Sequence, residues 1–282
     1  MKRLSTLIAT TLALAGTHTG HAAEPDGWTD LSFGQNGMQT IDFGDQFDYA
    51  QGMTVAPNGK IYMTGVVHNH QLLITRLLPN GQPDNEFEAI TMYLDSEFSI
   101  DSGDDVVVQD DHNLLVSVGG DFGNDFAAIA VCRFLSSGDL DISFATINQN
   151  YSAGCRYIES EHIYVPANAR LLLMNDQRIL SILGNSIVKL DSNGNIDSGW
   201  GNNGIKRLDN VGFGNLLLRD IAEAPNGDVL IAGRNFSESG WLIFRLKAEN
   251  GDLDAGFGNG NGVVQIDIVT SPEPINEIDY PQ

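Results

Sequence analysis

Residues 251–257 read Gly-Asp-Leu-Asp-Ala-Gly-Phe, and the chain writes that turn five times. The other copies are GWTDLSF from Gly27, GQPDNEF from Gly81, GDLDISF from Gly138 and GNIDSGW from Gly194. Each is Gly-x-x-Asp-x-x-aromatic. The aromatic positions Phe33, Phe87, Phe144, Trp200 and Phe257 follow one another at 54, 57, 56 and 57 residues. A fixed period of this size marks a repeat architecture, one supersecondary unit per period.

The same order of segments surrounds each turn. Upstream lies an apolar strand ending in a basic residue: LLITRL at Arg76, AIAVCRFL at Arg133, SIVKL at Lys189 and LIFRL at Arg245. Before it comes a second strand closed by glycine, as in KIYMTG at Gly65, NLLVSVGG at Gly119, RILSILG at Gly184 and DVLIAG at Gly233. A further strand precedes that one, joined to it in GMTVAPNGK and DIAEAPNGD through Asn-Gly, which supplies the positive φ of a tight hairpin turn. Downstream of the aromatic, MQTIDF, AITMYL and VVQIDI read as another strand. Each unit is therefore about four short strands joined by hairpins. Such sheets bury one apolar face against the next copy. The expectation is an all-β, propeller-like array of about four four-stranded antiparallel blades plus a partial fifth unit, with an open β-solenoid as the rival. The repeat domain spans 23–270, in units 34–87, 88–144, 145–200, 201–257 and 258–270, with a tail at 271–282.

The segment LIFRLKAENGDLDAGFGNGNGVVQID and its relatives resemble the delta-60 repeat, a bacterial β-propeller repeat of exported proteins. The likeness covers nearly all of residues 25–268, is best in units one and four, and is weakest in unit three. The resemblance implies a fold and an exported context, and no catalytic residues.

The N-terminus agrees with export. Lys2 and Arg3 precede a short apolar stretch, Leu4 to Ala15, and Gly20 and Ala22 offer small residues for cleavage, so residues 1–22 read as a signal peptide. Its removal leaves 13 Lys and Arg against 37 Asp and Glu, a net charge of −24. That surface repels nucleic acid and anionic lipid and favours cations or basic partners, while also serving solubility. No segment is long and apolar enough for membrane insertion by a helix. The location expected is periplasmic or secreted.

Candidate sites follow from local departures and clusters. The turn aspartates Asp30, Asp84, Asp141, Asp197 and Asp254 either bind calcium or cap their own turns; recurrence in every unit favours capping. The basic residues precede them by eight or nine positions, which suits a structural pair. In unit three, NYSAGCRYIESEHIYVPANA carries an insertion of about eight residues, and Gly184-Asn185 shrinks to a minimal hairpin. Its Tyr157, Glu159, Glu161, His162 and Tyr164 combine carboxylates, an imidazole and aromatics as a ligand site would, against the alternative of a drifted loop. Asp101, Asp104 and Asp105 lie just before an inner strand, where they could hold calcium or form a solvated acidic face. Cys132 and Cys155 suit a disulfide by compartment, but a register placing Leu135 opposite Thr146 sets them about 20 Å apart, so free thiols are expected.

No nucleophile, zinc or phosphate-loop pattern is present. The function expected is a non-catalytic binding or scaffolding module for a protein or glycan ligand, with no cofactor unless calcium. The alternative is a hydrolase or lyase acting on a glycan or lactone. Strands of the downstream type at both ends, Met38–Phe43 and Val263–Ile268, lead to the further expectation of weak self-association through an open sheet edge.

Overall fold

The computed structural model describes residues 29–44, 48–68, 70–123, 127–146, 153–159, 169–208, 212, 216–235 and 240–266. The expected signal peptide, the tail at 271–282, and Glu161, His162 and Tyr164 lie outside them. Among the described residues every regular element is a strand, and no helix is long and apolar enough to cross a membrane. The chain divides into two units, 1–40 with 80–82, and 41–79 with 83–282.

In the first unit, the first copy of the turn is closed by the Phe33 N–H donating to the Asp30 carbonyl at 3.0 Å. Asp30 Oδ1 also accepts the Ser32 N–H at 2.9 Å. The Phe33 ring lies against Gly81, where a Cβ would stand 2.7 Å from the ring. The strand expected over Met38–Phe43 does not form: Met38 is bridged to Gly34 and Gln35, and residues 39–43 are not in a strand. A strand of this type is the last of its sheet and needs the one before it as a partner. Among the described residues none precedes it, and an unpaired strand is not stable in water.

The second unit holds four sheets, each built from four consecutive antiparallel strands. The first contains β1 (Tyr49–Val55), β2 (Ile61–Val67), β3 (Gln71–Leu77) and β4 (Ile90–Met92). The second contains β5 (Ser99–Val108), β6 (Leu114–Asp121), β7 (Ala127–Phe134) and β8 (Cys155–Glu159). The third contains β9 (Leu171–Leu173), β10 (Ile179–Leu183), β11 (Ser186–Leu190) and β12 (Ile205–Arg207). The fourth contains β13 (Leu216–Glu223), β14 (Val229–Asn235), β15 (Trp241–Leu246) and β16 (Val263–Ile266). The arrangement is propeller-like, and in each of the four sheets a copy of the repeated turn joins the third strand to the fourth. The partial fifth unit of the sequence thus contributes β16, which completes the fourth sheet. Leu183 pairs with Ser186, so Gly184-Asn185 is a two-residue hairpin.

Three apolar clusters join consecutive sheets. Tyr62, Leu72 and Ile74 of the first sheet meet Leu114, Val116 and Val118 of the second. Leu115, Ile129 and Val131, on the opposite face of the second sheet, meet Ile179, Val188 and Leu190 of the third. Leu180, Ile182 and Ile187 then meet Val229, Ile231 and Phe244 of the fourth. Period-2 alternation is what lets one strand serve two interfaces. In β10 and β11 every residue is buried, so apolar residues fill most of both faces and the alternation disappears from the sequence. Burial of one such Leu, Ile or Phe is worth about 1.5–3 kcal/mol.

The cysteines overturn the expected register. Cys132 on β7 lies directly opposite Cys155 on β8, and the two form a disulfide. The chain leaves the sheet at Ala145, whose N–H donates to the Asn193 carbonyl of the next turn at 2.8 Å. It rejoins at Gly154, which donates to the Phe144 carbonyl and accepts from the Arg133 N–H, both at 3.1 Å. Gly204 and Gly262 make the same pair of bonds after Trp200 and Phe257. Gly154 follows its aromatic by ten residues, against four for Gly204 and five for Gly262, so the strand resumes with Cys155 where a direct hairpin would have put an earlier residue.

Candidate functional site

The turn residues form one arrangement in every sheet. Asp84, Asp141 and Asp254 each accept the N–H two residues on, at 3.1, 2.9 and 2.9 Å, as an Asx turn requires. The other carboxylate oxygen takes the basic residue of the third strand: Arg76 to Asp84 at 2.7 Å, Arg133 to Asp141 at 2.6 Å, Arg245 to Asp254 at 2.6 Å. Lys189 lies 3.4 Å from Asp197. Each cation also sits over the aromatic that ends its turn, 4.7 Å above Phe87, 4.8 Å above Phe144, 5.6 Å above Trp200 and 4.8 Å above Phe257. Arg133 and Lys189 reach forward too, donating to the Ser192 and Ala248 carbonyls of the following turn at 3.0 and 2.8 Å. The cations are used within the scaffold, so this arrangement presents no anion site. Lys60, at 2.8 Å, adds a second cation to Asp84 and is the main reason its carboxyl is held down at about 2.

Asp101, Asp104 and Asp105 are not brought together as a single site. Asp104 is buried, and its Oδ2 accepts the Ala169 N–H at 3.0 Å. Asp105 accepts the Leu171 N–H at 3.0 Å through one oxygen and the Val106 N–H at 2.9 Å through the other. Two carboxylates of β5 thereby satisfy the inner edge of the third sheet, an edge that would otherwise offer unpaired N–H groups. A bulge between Gly103 and Asp105 aims them there. Burial pushes the Asp104 carboxyl up to about 7, against the pull of its hydrogen bonds. Among the described residues no group of three or more His, Cys, Asp or Glu is placed to hold a metal ion.

Asp101 belongs to a different place. It lies on β5 within electrostatic reach of His70 and Asp121, and its carboxyl is raised by burial first and then by the Asp121 charge. His70 and Asp121 line a cleft of about 760 Å³ at one end of the first two sheets. His70 stands on the β2–β3 hairpin at φ 60 and donates from Nδ1 to the Ile100 carbonyl at 2.7 Å. A carbonyl only accepts, so Nδ1 holds the proton and Nε2 is the acceptor of the neutral ring. The β4–β5 connection supplies Tyr93, Asp95, Glu97 and Phe98; the β6–β7 hairpin supplies Asp121 and Phe122. Asp95 and Asp121 fix these loops by accepting the N–H two residues on, from Glu97 at 3.0 Å and Gly123 at 2.6 Å. Tyr93 is 55% exposed, whereas Phe98 is buried.

Of the insertion residues, the structure places two. Tyr157 is buried on β8 and packs its ring on Phe98 at 5.3 Å and on Phe122 at 5.8 Å, while those two rings are 5.1 Å apart. It supports the cleft from behind, and burial together with the Asp95 charge raises its hydroxyl pKa. Glu159 is exposed at the end of β8, opposite Ala128. The sequence reading missed His70, Tyr93, Asp95, Glu97 and Asp121, which come from three separate hairpins and connections. A signal was available: DSEF, at 95–98, and SVGGDFG each carry an acid beside a phenylalanine at a strand end.

The cleft thus combines acceptor-only carboxylates, an exposed tyrosine and an imidazole, with no Lys or Arg among the described residues of its lining. It suits donors of hydrogen bonds and disfavours anions. No family model and no curated protein sequence matches the chain. Among solved structures, the chain is similar to an exo-beta-1,3-galactanase from Phanerochaete chrysosporium determined with galactose, at 12% identity and a TM-score of 0.38. That likeness covers 70% of this chain and 46% of the enzyme, less than half its length. A variant of the same enzyme determined with beta-1,3-galactotriose is similar at a TM-score of 0.37, with the same identity and coverage.

Proposed function

We propose that this chain is an exported, non-catalytic binding module of the delta-60 repeat type, and that its cleft takes a hydroxyl-rich ligand, a glycan. The observation carrying this reading is that Asp95, Glu97 and Asp121 line one cleft with the exposed Tyr93. Carboxylates accept pairs of sugar hydroxyls, and an aromatic face packs against the apolar C–H side of a pyranose ring. Export is supported by the Cys132–Cys155 disulfide, which persists in oxidising compartments, and by an N-terminus that reads as a signal peptide. The test is titration of purified mature protein against a panel of neutral and acidic oligosaccharides, with and without calcium. A neutral glycan should bind, and Tyr93→Ala should weaken it about tenfold or more, a loss of about 1.4 kcal/mol. Tighter binding of acidic than neutral sugars, or equal binding by the Tyr93→Ala variant, would contradict this reading.

One observation favours the alternative of a glycan- or lactone-cleaving enzyme: Asp101 is a carboxyl with a raised pKa next to a second carboxylate, as a general acid needs. Assay of the same panel for released product distinguishes the two. The binding reading requires no turnover; turnover lost in Asp101→Asn would establish the enzyme.

A further inference from the structure

The chain contains nine Asn-Gly steps, most of them in its turns. In this dipeptide a backbone nitrogen reaches the side-chain amide before it with least obstruction, since glycine has no side chain to shield its N–H. Folding withholds most of these nitrogens. In seven of the nine steps the glycine N–H donates to a backbone carbonyl, at 2.8 to 3.1 Å. At an eighth, Gly81 is buried and Asn80 Oδ1 accepts the Gln82 N–H at 3.1 Å. The ninth is Asn259-Gly260.

The turn leading into β16 is one residue longer than its counterparts. Trp200 is followed by Gly-Asn-Asn-Gly and Phe33 by Gly-Gln-Asn-Gly, whereas Phe257 is followed by Gly-Asn-Gly-Asn-Gly. All three close alike, the last glycine donating to the carbonyl of the aromatic: Gly37 and Gly204 at 2.8 Å, Gly262 at 3.1 Å. In the short versions the residue after the first glycine is also tied down. Gln35 and Asn202 donate to the Met38 and Ile205 carbonyls at 2.6 and 2.8 Å. Asn259 holds that position in the long version, and among the described residues neither it nor Gly260 makes a hydrogen bond. Both are exposed, and a Cβ on Gly260 would meet nothing within 4 Å. The neighbouring Asn261, by contrast, accepts the Val263 N–H through Oδ1 at 3.2 Å. The extra residue thus leaves the Asn259-Gly260 step free on both sides.

We infer that Asn259 is a site of spontaneous covalent modification in the folded chain. The Gly260 nitrogen, having given its proton to solvent, forms a bond to Asn259 Cγ. The side-chain nitrogen leaves as ammonia, and a cyclic succinimide results. Water then adds to one of the two ring carbonyls and opens the ring. Attack at the side-chain carbonyl gives aspartate, and attack at the main-chain carbonyl gives isoaspartate. The net change is one water taken up and one ammonia released, without oxidant, reductant or enzyme. Either product adds a negative charge, and isoaspartate also lengthens the main chain of the turn that seats β16. The inference is independent of the glycan reading, since the turn contributes no residue to the cleft.

Incubation of the intact folded chain in mildly alkaline buffer tests it, followed by proteolysis and mass spectrometry that separates asparagine, aspartate and isoaspartate at each step. Asn259 should convert at least about fivefold faster than the seven steps whose glycine N–H is held, because a hydrogen bond must first break there. In denaturant all nine steps should convert at comparable rates. A glycine inserted after Asn202 gives the turn of the third sheet the same Gly-Asn-Gly-Asn-Gly sequence. In that variant, its folding checked by circular dichroism, Asn202 should become as labile as Asn259. Faster conversion at another Asn-Gly step of the folded chain, or no conversion at Asn259, would overturn the inference. So would a preference for Asn259 that persists in denaturant, or an intact Asn202 in the folded insertion variant.

Discussion

Asp84 and Asp104 are the same residue type, and their surroundings drive them in opposite directions. Asp84 sits between Lys60 and Arg76, so its charged form is favoured and its carboxyl titrates at about 2. A depressed folded value adds stability that is present above the unfolded pKa of about 3.9 and lost as pH falls toward 2. Asp104 is buried against the third sheet and titrates at about 7. A raised folded carboxyl pKa works the other way: the fold loses stability as pH rises from about 4 to 7, by about 1.4 kcal/mol for each unit of separation. Chemical denaturation at pH 4.5 and 7.5 should therefore show a decline in the parent that Asp104→Asn abolishes. Asp84→Asn should cost about 3 kcal/mol at neutral pH by stranding two cations. An unchanged pH profile in Asp104→Asn would show that another group is responsible. The sequence made Asp84 readable, because its turn recurs with a basic residue at fixed distance. It did not reveal Asp104, whose direction depends on a bulge in β5 that shifts the alternation by one residue.

At the level of elements, the link between repeats is a glycine. Gly194 has φ +80, and a Cβ there would stand 2.5 Å from the ring of Phe144 in the turn before; Gly251 meets Trp200 in the same way at 2.7 Å. Gly227, at φ +85, has the same backbone strain to offer but open space around it. Gly227→Ala should destabilise by about 1 kcal/mol through strain alone, and Gly194→Ala by a further 1–3 kcal/mol through overpacking. Equal losses in the two variants would show that the ring does not seat on the turn. The disulfide closes a 23-residue separation, so reduction, or Cys132→Ser with Cys155→Ser, should cost about 3 kcal/mol. Thiol titration of the denatured, unreduced protein should find none free. The five turns were legible because Gly, Asp and the aromatic recur at fixed offsets. The glycine that brings the chain back to the sheet was not used in the reading. It follows the aromatic after a variable excursion, as Gly37, Gly154, Gly204 and Gly262. Measuring from that glycine instead of the aromatic places Cys155 beside Cys132.

At the scale of the whole molecule, order along the chain becomes order in space: each sheet is contiguous in sequence and packs on the next. That was legible from the period. The cleft was not, because it draws on hairpins whose residues share no motif and meet only when the first two sheets pack. The insertion drew attention to Tyr157, and the structure makes this residue a support for the cleft rather than a contact. The central claim is a series of four sheets in which the second and third are covered on both faces, while the first leaves Met53 and Val55 of β1 exposed and the fourth leaves the face of Ile243 and Trp241 partly open. Hydrogen exchange followed by mass spectrometry on dilute, monomeric protein reads this directly, since amides exchange according to the stability of the unit that holds them. Peptides from β6, β7, β10 and β11 should exchange slowest, and those from β1 and β14–β16 distinctly faster. Protection in β1 and β14–β16 equal to that in β6 and β10 would mean that the end sheets are covered too, and would contradict the account.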